Sequence, residues 1–265
     1  MKFVAAAKLR RAQENALAAR PYAKQLTRVL QSALLRIENP QHPLLERREE
    51  KSVLALVVSG DKGLCGAFNT NVLRRTLEFR SDRASLTLHY LPIGKRGRDA
   101  LRKRKFEIVD EYVGVLSKAD RRLAQEVAAK VVEMYSAGKV DAVYAIFNEF
   151  RSVLVQRMIV QQILPIAPDA AASEPAGGSP VDYLYEQPGE ELLGKLLPRY
   201  VETQVIRAIF ESVAAENAAR MTAMDSATNN AKELIEKLTL HMNKVRQAAI
   251  TKEIIEVVSG AASTA

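Results

Sequence analysis

From Arg199 to Ser259 the chain reads RYVETQVIRAIFESVAAENAARMTAMDSATNNAKELIEKLTLHMNKVRQAAITKEIIEVVS, with neither Pro nor Gly until Gly260. A continuous helix of that length would reach about 90 Å at 1.5 Å per residue. Ala227, Ala231, Leu234, Leu238, Val245 and Ala248 keep heptad spacing along it, with His241 on the same seam. Upstream, Val201, Val205 and Ile209 continue a helical stripe. Asn229-Asn230 is a soft spot in propensity and no stop. Pro198 marks a kink or a second start. The helical region is read from about Glu190 to the C-terminus.

The opposite end of the chain carries a matching pattern. Ala5, Leu9, Ala12, Ala16, Ala19, Ala23, Leu26, Leu30, Ala33 and Ile37 follow a 4-3-4-3 spacing. Most of these positions are Ala, so a partner helix can approach closely. Pro21 removes one backbone donor and is expected to bend the helix. Asn39-Pro40 and His42-Pro43 end it. Two such segments can pair as an antiparallel coiled coil; a plain bundle or a homodimeric coil satisfies the same pattern. The C-terminal segment is much the longer, so part of it must overhang and pack elsewhere, in a ring or groove made by other chains.

Between them the pattern alternates. SVLALVV, Ser52–Val58, reads as a buried strand, followed by a helix near Thr70–Arg80, a strand at Ser85–Tyr90 and a helix near Arg96–Arg104. Glu107–Val113 reads as a third strand. Ala119–Ala137 is helical by period, with Leu123, Val127, Val131 and Met134 on one face. Ala142–Phe147 and Ser152–Leu164 are strand-like. The alternation predicts an α/β domain with a mostly parallel sheet over residues 52–180. PDAAASEPAGGSP, Pro168–Pro180, reads as a surface loop.

Net charge is +8, and the excess is uneven. Eight Lys or Arg stand against Glu14 alone between Met1 and Ile37, and a second cluster runs Lys95, Arg96, Arg98, Arg102, Lys103, Arg104, Lys105. Such faces are solvated or meet an acidic partner. A nucleic-acid reading finds no helix-turn-helix or zinc-finger pattern and no interleaved aromatics. The single cysteine, Cys65, excludes an internal disulfide framework and fits a reducing compartment. The sequence has no apolar run long enough for a membrane span and no visible signal peptide.

Signals of catalysis are thin. SGDKGLCGAFNTN, Ser59–Asn71, follows a strand and precedes a helix, where α/β folds hold phosphate. It has neither P-loop nor dinucleotide-fingerprint spacing, so Gly60, Gly63 and Gly66 are read as serving a tight turn and close backbone packing. Cys65 would need a base to act as a nucleophile, and His42, His89 and His241 fall on a loop, a strand and a long helix. No metal-ligand spacing occurs. Glu211, Glu216, Glu253 and Glu256 read as solvated face or interhelical pairs.

Six segments in order make the sequence specific: KFVAAAKLRRAQ (Lys2–Gln13), RPYA (Arg20–Ala23), the Ser59–Asn71 loop, DYLYE (Asp182–Glu186), RMTAMDSATNN (Arg220–Asn230) and RQAAITKEIIEVVSGAA (Arg246–Ala262). Together they resemble the gamma subunits of F-type ATP synthases over nearly the whole chain. The resemblance implies an antiparallel coiled-coil shaft from residues 1–38 and 190–265, beside a Rossmann-like α/β domain. It implies a non-catalytic rotor without a cofactor of its own, turned by a c-subunit ring, next to an epsilon subunit and inside a ring of α and β subunits. Arg246 and Gln247 match contacts to the β subunits, Thr251 and Glu253 match neighbouring coupling positions, and Lys8 and Arg10 match basic positions of the N-terminal shaft helix. Family chains extend further ahead of the segment matching Met1, so a longer N-terminal helix is expected of them. The plastid dithiol insertion is not in the pattern. With no transit peptide visible, the resemblance points to a bacterial protein held peripherally on the cytoplasmic side of the inner membrane.

Overall fold

The computed structural model describes residues 2–37, 40–116, 120–166 and 189–262. The Pro168–Pro180 loop and the Asp182–Glu186 motif lie outside them. By contact the chain separates into two compact units, Met1–Thr222 and Ala223–Ala265, and each is described by itself.

The first unit is built on a four-stranded sheet of order β2-β1-β3-β4. β1 is Ser52–Val58, β2 Thr87–Ile93, β3 Ala142–Phe150 and β4 Gln156–Leu164. β1 runs parallel to β2 and β3, while β4 returns antiparallel to β3. The return is a hairpin closed at its tip by Ser152, whose N–H donates to Val155 O at 3.0 Å and whose Oγ accepts from Val155 N at 3.0 Å. Only the last strand therefore departs from the parallel pattern.

β1 is buried on both faces, which is why it reads as an unbroken apolar run. Val53, Ala55 and Val57 pack with Phe68, Val72 and Phe79 of α2 (Phe68–Ser81) and Leu101 of α3 (Lys95–Lys103). Leu54, Leu56 and Val58 point the other way, into a core shared with Leu123, Val127, Val131 and Met134 of α4 (Arg121–Ser136). Asp120 caps α4, its Oδ1 accepting from Leu123 N at 3.0 Å. All four α4 positions predicted for one face are buried.

Residues 107–113 do not form the expected third strand. They touch β2 at two isolated bridges, Tyr90↔Ile108 and Ile93↔Tyr112. Tyr90 uses both of its backbone groups there, accepting from Val109 N and donating to Glu107 O. Pro92, next on that edge, accepts from Tyr112 N but has no N–H to give, so the ladder breaks. β2 itself lies later than predicted, and its turn into α3 depends on Gly94. With φ +113, any Cβ at Gly94 would lie 2.2 Å from Ser59 O.

The N-terminal helix α1, Lys2–Arg36, runs through Pro21. Its predicted seam holds at eight of its ten positions: Ala5, Leu9, Ala12, Ala16, Ala23, Leu26, Leu30 and Ala33 are buried, while Ala19 and Ile37 are half-buried. The long C-terminal helix α5, Gly189–Ala262, likewise continues through Pro198. Leu26, Leu30 and Ala33 share a core with Leu193, Leu197, Val201 and Val205 of α5, whereas Leu9, Ala12 and Ala16 share one with Ala214, Ala215 and Ala218. The start of α1 thus meets the later residues and its end the earlier ones, an antiparallel pairing close-packed through Ala.

The second unit is the remainder of α5. Its heptad stripe of Ala227, Ala231, Leu234, Leu238, Val245 and Ala248 is exposed throughout. The stripe that packs α5 against α1 is the upstream one, which continues past Ile209 to Ala218.

Candidate functional surfaces

The loop after β1 is tied to itself and to α5. Gly60 N donates to Asn69 Oδ1 at 2.8 Å, and Asn69 Nδ2 donates to Lys62 O at 3.3 Å. A side chain at Gly60 would come within 2.8 Å of Glu216 Oε1, so glycine here admits α5 itself. Glu216 pairs with Arg220, which also reaches Gly63 O at 3.5 Å. Burial pushes the Glu216 carboxyl above the ordinary glutamate range, with Arg220 opposing. Burial likewise pushes the Cys65 thiol up, and Asn69 Nδ2 lies 3.1 Å from its Sγ. This arrangement makes the glycine-rich loop a wedge beneath α5. Among the described residues no group of three or more His, Cys, Asp or Glu is placed to hold a metal.

A second polar cluster joins three elements. Arg20 of α1 forks onto Glu211 of α5, Nε to Oε1 at 2.7 Å and Nη2 to Oε2 at 2.9 Å. The same Nη2 donates to Phe150 O at 2.7 Å, and Phe150 N donates to Glu211 Oε2 at 3.0 Å. Glu211 is 1 % exposed, so its charge is balanced within the cluster, and its hydrogen bond raises the Arg20 pKa further. Glu211 and Glu216 are therefore buried and bonded, where the sequence left a solvated face open. Glu211 is the interhelical pair among the four carboxylates. Its signal in the sequence is spacing: Gln204, Glu211 and Ala218 are seven apart, and all three are buried.

The residues expected to meet partners lie elsewhere. Arg246, Gln247, Thr251 and Glu253 are all exposed on the second unit. Arg246 and Glu253 are seven apart and share a face, and Thr251 Oγ1 donates to Gln247 O at 2.8 Å. Lys8 and Arg10 are exposed on α1 in the first unit, where Arg10 meets Glu14 one turn on at 3.2 Å. Around the first four, Leu234, Ile235, Leu238, Leu240, Val245, Ile250, Ile254, Ile255, Val257 and Val258 are each about half exposed or more, from 49 % to 72 %. Large apolar surface of this kind marks an interaction site, and periodicity alone shows the stripe without showing that it is bare. No helix is long and apolar enough to cross a membrane among the described residues.

Comparison with known proteins gives one answer. A family model described as ATP synthase matches residues 1–264. The chain is 47% identical to the ATP synthase gamma chain of Solibacter usitatus over 267 residues, covering 99% of this chain and 91% of that one. It is 45% identical to the gamma chain of Pelotomaculum thermopropionicum over 264 residues, with the same coverages. Among solved structures it is similar to a chain of the central stalk and c-ring of the Tetrahymena thermophila mitochondrial ATP synthase, with TM-score 0.65, 23% identity, and 86% and 97% of the two chains covered. A rotor chain of the Euglena gracilis mitochondrial enzyme gives TM-score 0.57 at 19% identity, covering 92% and 99%.

Proposed function

The chain belongs to the ATP synthase gamma-chain family, a non-catalytic central-stalk subunit, and we propose that residues 223–262 of α5 carry the surface by which it drives the nucleotide-binding β subunits. The single observation behind this is the unburied apolar row from Leu234 to Val258. A helix that keeps such a row in water is built for a partner. Arg246 and Gln247 make the principal contacts, with Thr251 and Glu253 beside them; Lys8 and Arg10 on α1 are contacts of their own. A guanidinium at Arg246 offers a planar fork that binds a partner carboxylate at fixed geometry and lets go when the helix turns. Each orientation of the rotor favours one set of β conformations, so rotation shifts their populations.

In this reading residues 1–38 and 190–265 are the shaft, and the α/β domain of residues 52–180 sits at its base beside an epsilon subunit and a c ring. The Tetrahymena thermophila structure is named for its central stalk and c-ring, which supports partnership with a c ring. Attachment to the membrane is peripheral, through the c ring, on the cytoplasmic side of a bacterial inner membrane; the gamma chains of Solibacter usitatus and Pelotomaculum thermopropionicum support the bacterial setting.

Reconstitution with α and β subunits tests the assignment. The wild-type chain is expected to assemble and support ATP hydrolysis, and Arg246→Ala and Gln247→Ala to slow it while leaving the fold of the free chain unchanged. Variants that turn over at the wild-type rate would remove these residues from the contact surface. A chain that binds and hydrolyses ATP by itself would overturn the rotor reading.

A further inference from the structure

β1 and β3 stop pairing at Val57↔Ile146, yet β3 continues to Phe150. The N–H groups of Asn148 and Phe150, two residues apart, face one edge and have no strand to meet there. Side chains of α5 take the strand's place. Ser212 Oγ accepts from Asn148 N at 3.3 Å, and Glu211 Oε2 accepts from Phe150 N at 3.0 Å. Arg20 of α1 then closes the end, donating to Phe150 O and gripping both Glu211 oxygens. Two weaker rungs flank the cluster, Arg207–Glu149 at 3.7 Å and Gln161 Nε2 to Gln204 Oε1 at 3.0 Å.

Other polar ties between the α/β domain and the two helices are single-point: Arg121 Nε to Glu202 Oε1 at 2.9 Å, Arg220 to Gly63 O at 3.5 Å and Thr222 Oγ1 to Val153 O at 3.5 Å. The remaining contact is largely apolar, made mostly by Leu, Val and Ala. Apolar burial is strong and non-directional, so it resists separation better than twist. A bidentate guanidinium–carboxylate pair fixes angle as well as distance. We propose that the Arg20–Glu211–Phe150 cluster is the joint through which torque passes between the α/β domain and the α1–α5 helical pair. Arg20 is a positioning residue in this scheme and touches no nucleotide. The inference rests on the rotor reading: the α/β domain is taken as the driven end and the helices as the shaft.

The test uses the complete reconstituted ATP synthase and reads ions pumped per ATP hydrolysed. Arg20→Met, which keeps length and loses charge and fork, should hydrolyse ATP near the wild-type rate and pump several-fold fewer ions per ATP. Arg20→Lys should fall between, because it keeps the charge without the fork. Glu211→Gln can still accept from Phe150 N, and it keeps the test alive should Arg20→Met fold poorly. Val131→Ala, a cavity in α4 remote from the cluster, separates mechanical loss from simple loss of stability. It should lower the melting temperature and leave the pumping ratio at the wild-type value. Arg20→Met and Glu211→Gln pumping at the wild-type ratio, or Val131→Ala losing as much, overturns the joint and leaves the rotor reading intact. A wild-type chain that does not assemble into a pumping complex overturns the rotor reading and the joint with it.

Discussion

Residues 189–222 and residues 223–262 belong to one helix and obey opposite rules. In the first stretch six polar side chains from Thr203 to Asn217 are buried, and they are spent on bonds such as Thr203 to Arg199 O, Gln204 to Gln161, Ser212 to Asn148 N and Glu211 to Arg20. In the second, Leu, Ile and Val stand in water. Support there is local: pairs such as Lys237–Glu233 at 2.7 Å and threonine hydroxyls bonded one turn back. The first stretch is selected by the interior of its own chain and the second by surfaces that other chains supply. A helix held only by itself is marginal in water, so the second stretch is expected to order fully when its partners arrive.

A matched pair of truncations tests that contrast most strongly. Leu197 is 0 % exposed and Leu238 is 58 % exposed. Leu197→Ala leaves a cavity and is expected to cost the free chain about 3 kcal/mol in urea unfolding. Leu238→Ala should change it by less than about 0.5 kcal/mol and instead weaken assembly with α and β subunits. Equal losses in the free chain would mean that the outer stretch is packed in solution, and the contrast would collapse.

The same division governs what the sequence reveals. β1 is legible because burial on both faces makes it an unbroken apolar run, and the α1 seam because one buried face imposes a heptad. The strand expected at 107–113 fails on a group outside it, the missing N–H of Pro92, which a local pattern does not weigh. β4 turns back through RSVLV (Arg151–Val155), a tip with no Gly or Asn to announce a hairpin. On α5 the heptads continue from one stretch to the next, so spacing cannot say which stripe is covered. Arg20 and Glu211 are 191 residues apart, and nothing local links them. The outer contact residues, Arg246 and Gln247 above all, come from resemblance, since an exposed Arg on a long helix has no signature of its own.

A middle-sized effect is expected at Asn229-Asn230, exposed and inside the second stretch. Replacing both with Ala adds about 0.5 kcal/mol of helix propensity at each position. If this stretch is held by propensity alone, amide exchange around residues 225–235 should slow several-fold in the free chain while exchange around residues 200–215 stays as it was. No change at the double variant would show that something other than local propensity already holds that part of the helix.

The smallest effect concerns pH and belongs to the buried stretch. Glu216 titrates above its ordinary range in the folded chain because burial disfavours its charge more than Arg220 restores it. The folded state therefore binds this proton more tightly than the unfolded state does. The stability Glu216 contributes is fully present below the ordinary glutamate range and is lost as pH rises through the raised value. Glu216→Gln removes the titration, so the ratio of wild-type to variant stability should fall across that window and flatten on either side. Urea midpoints taken at closely spaced pH values measure it. A wild-type profile that gains stability over the same rise, relative to Glu216→Gln, would mean Arg220 outweighs burial, and the wedge beneath α5 would then be held by the ion pair more than by the fit of Gly60 against it.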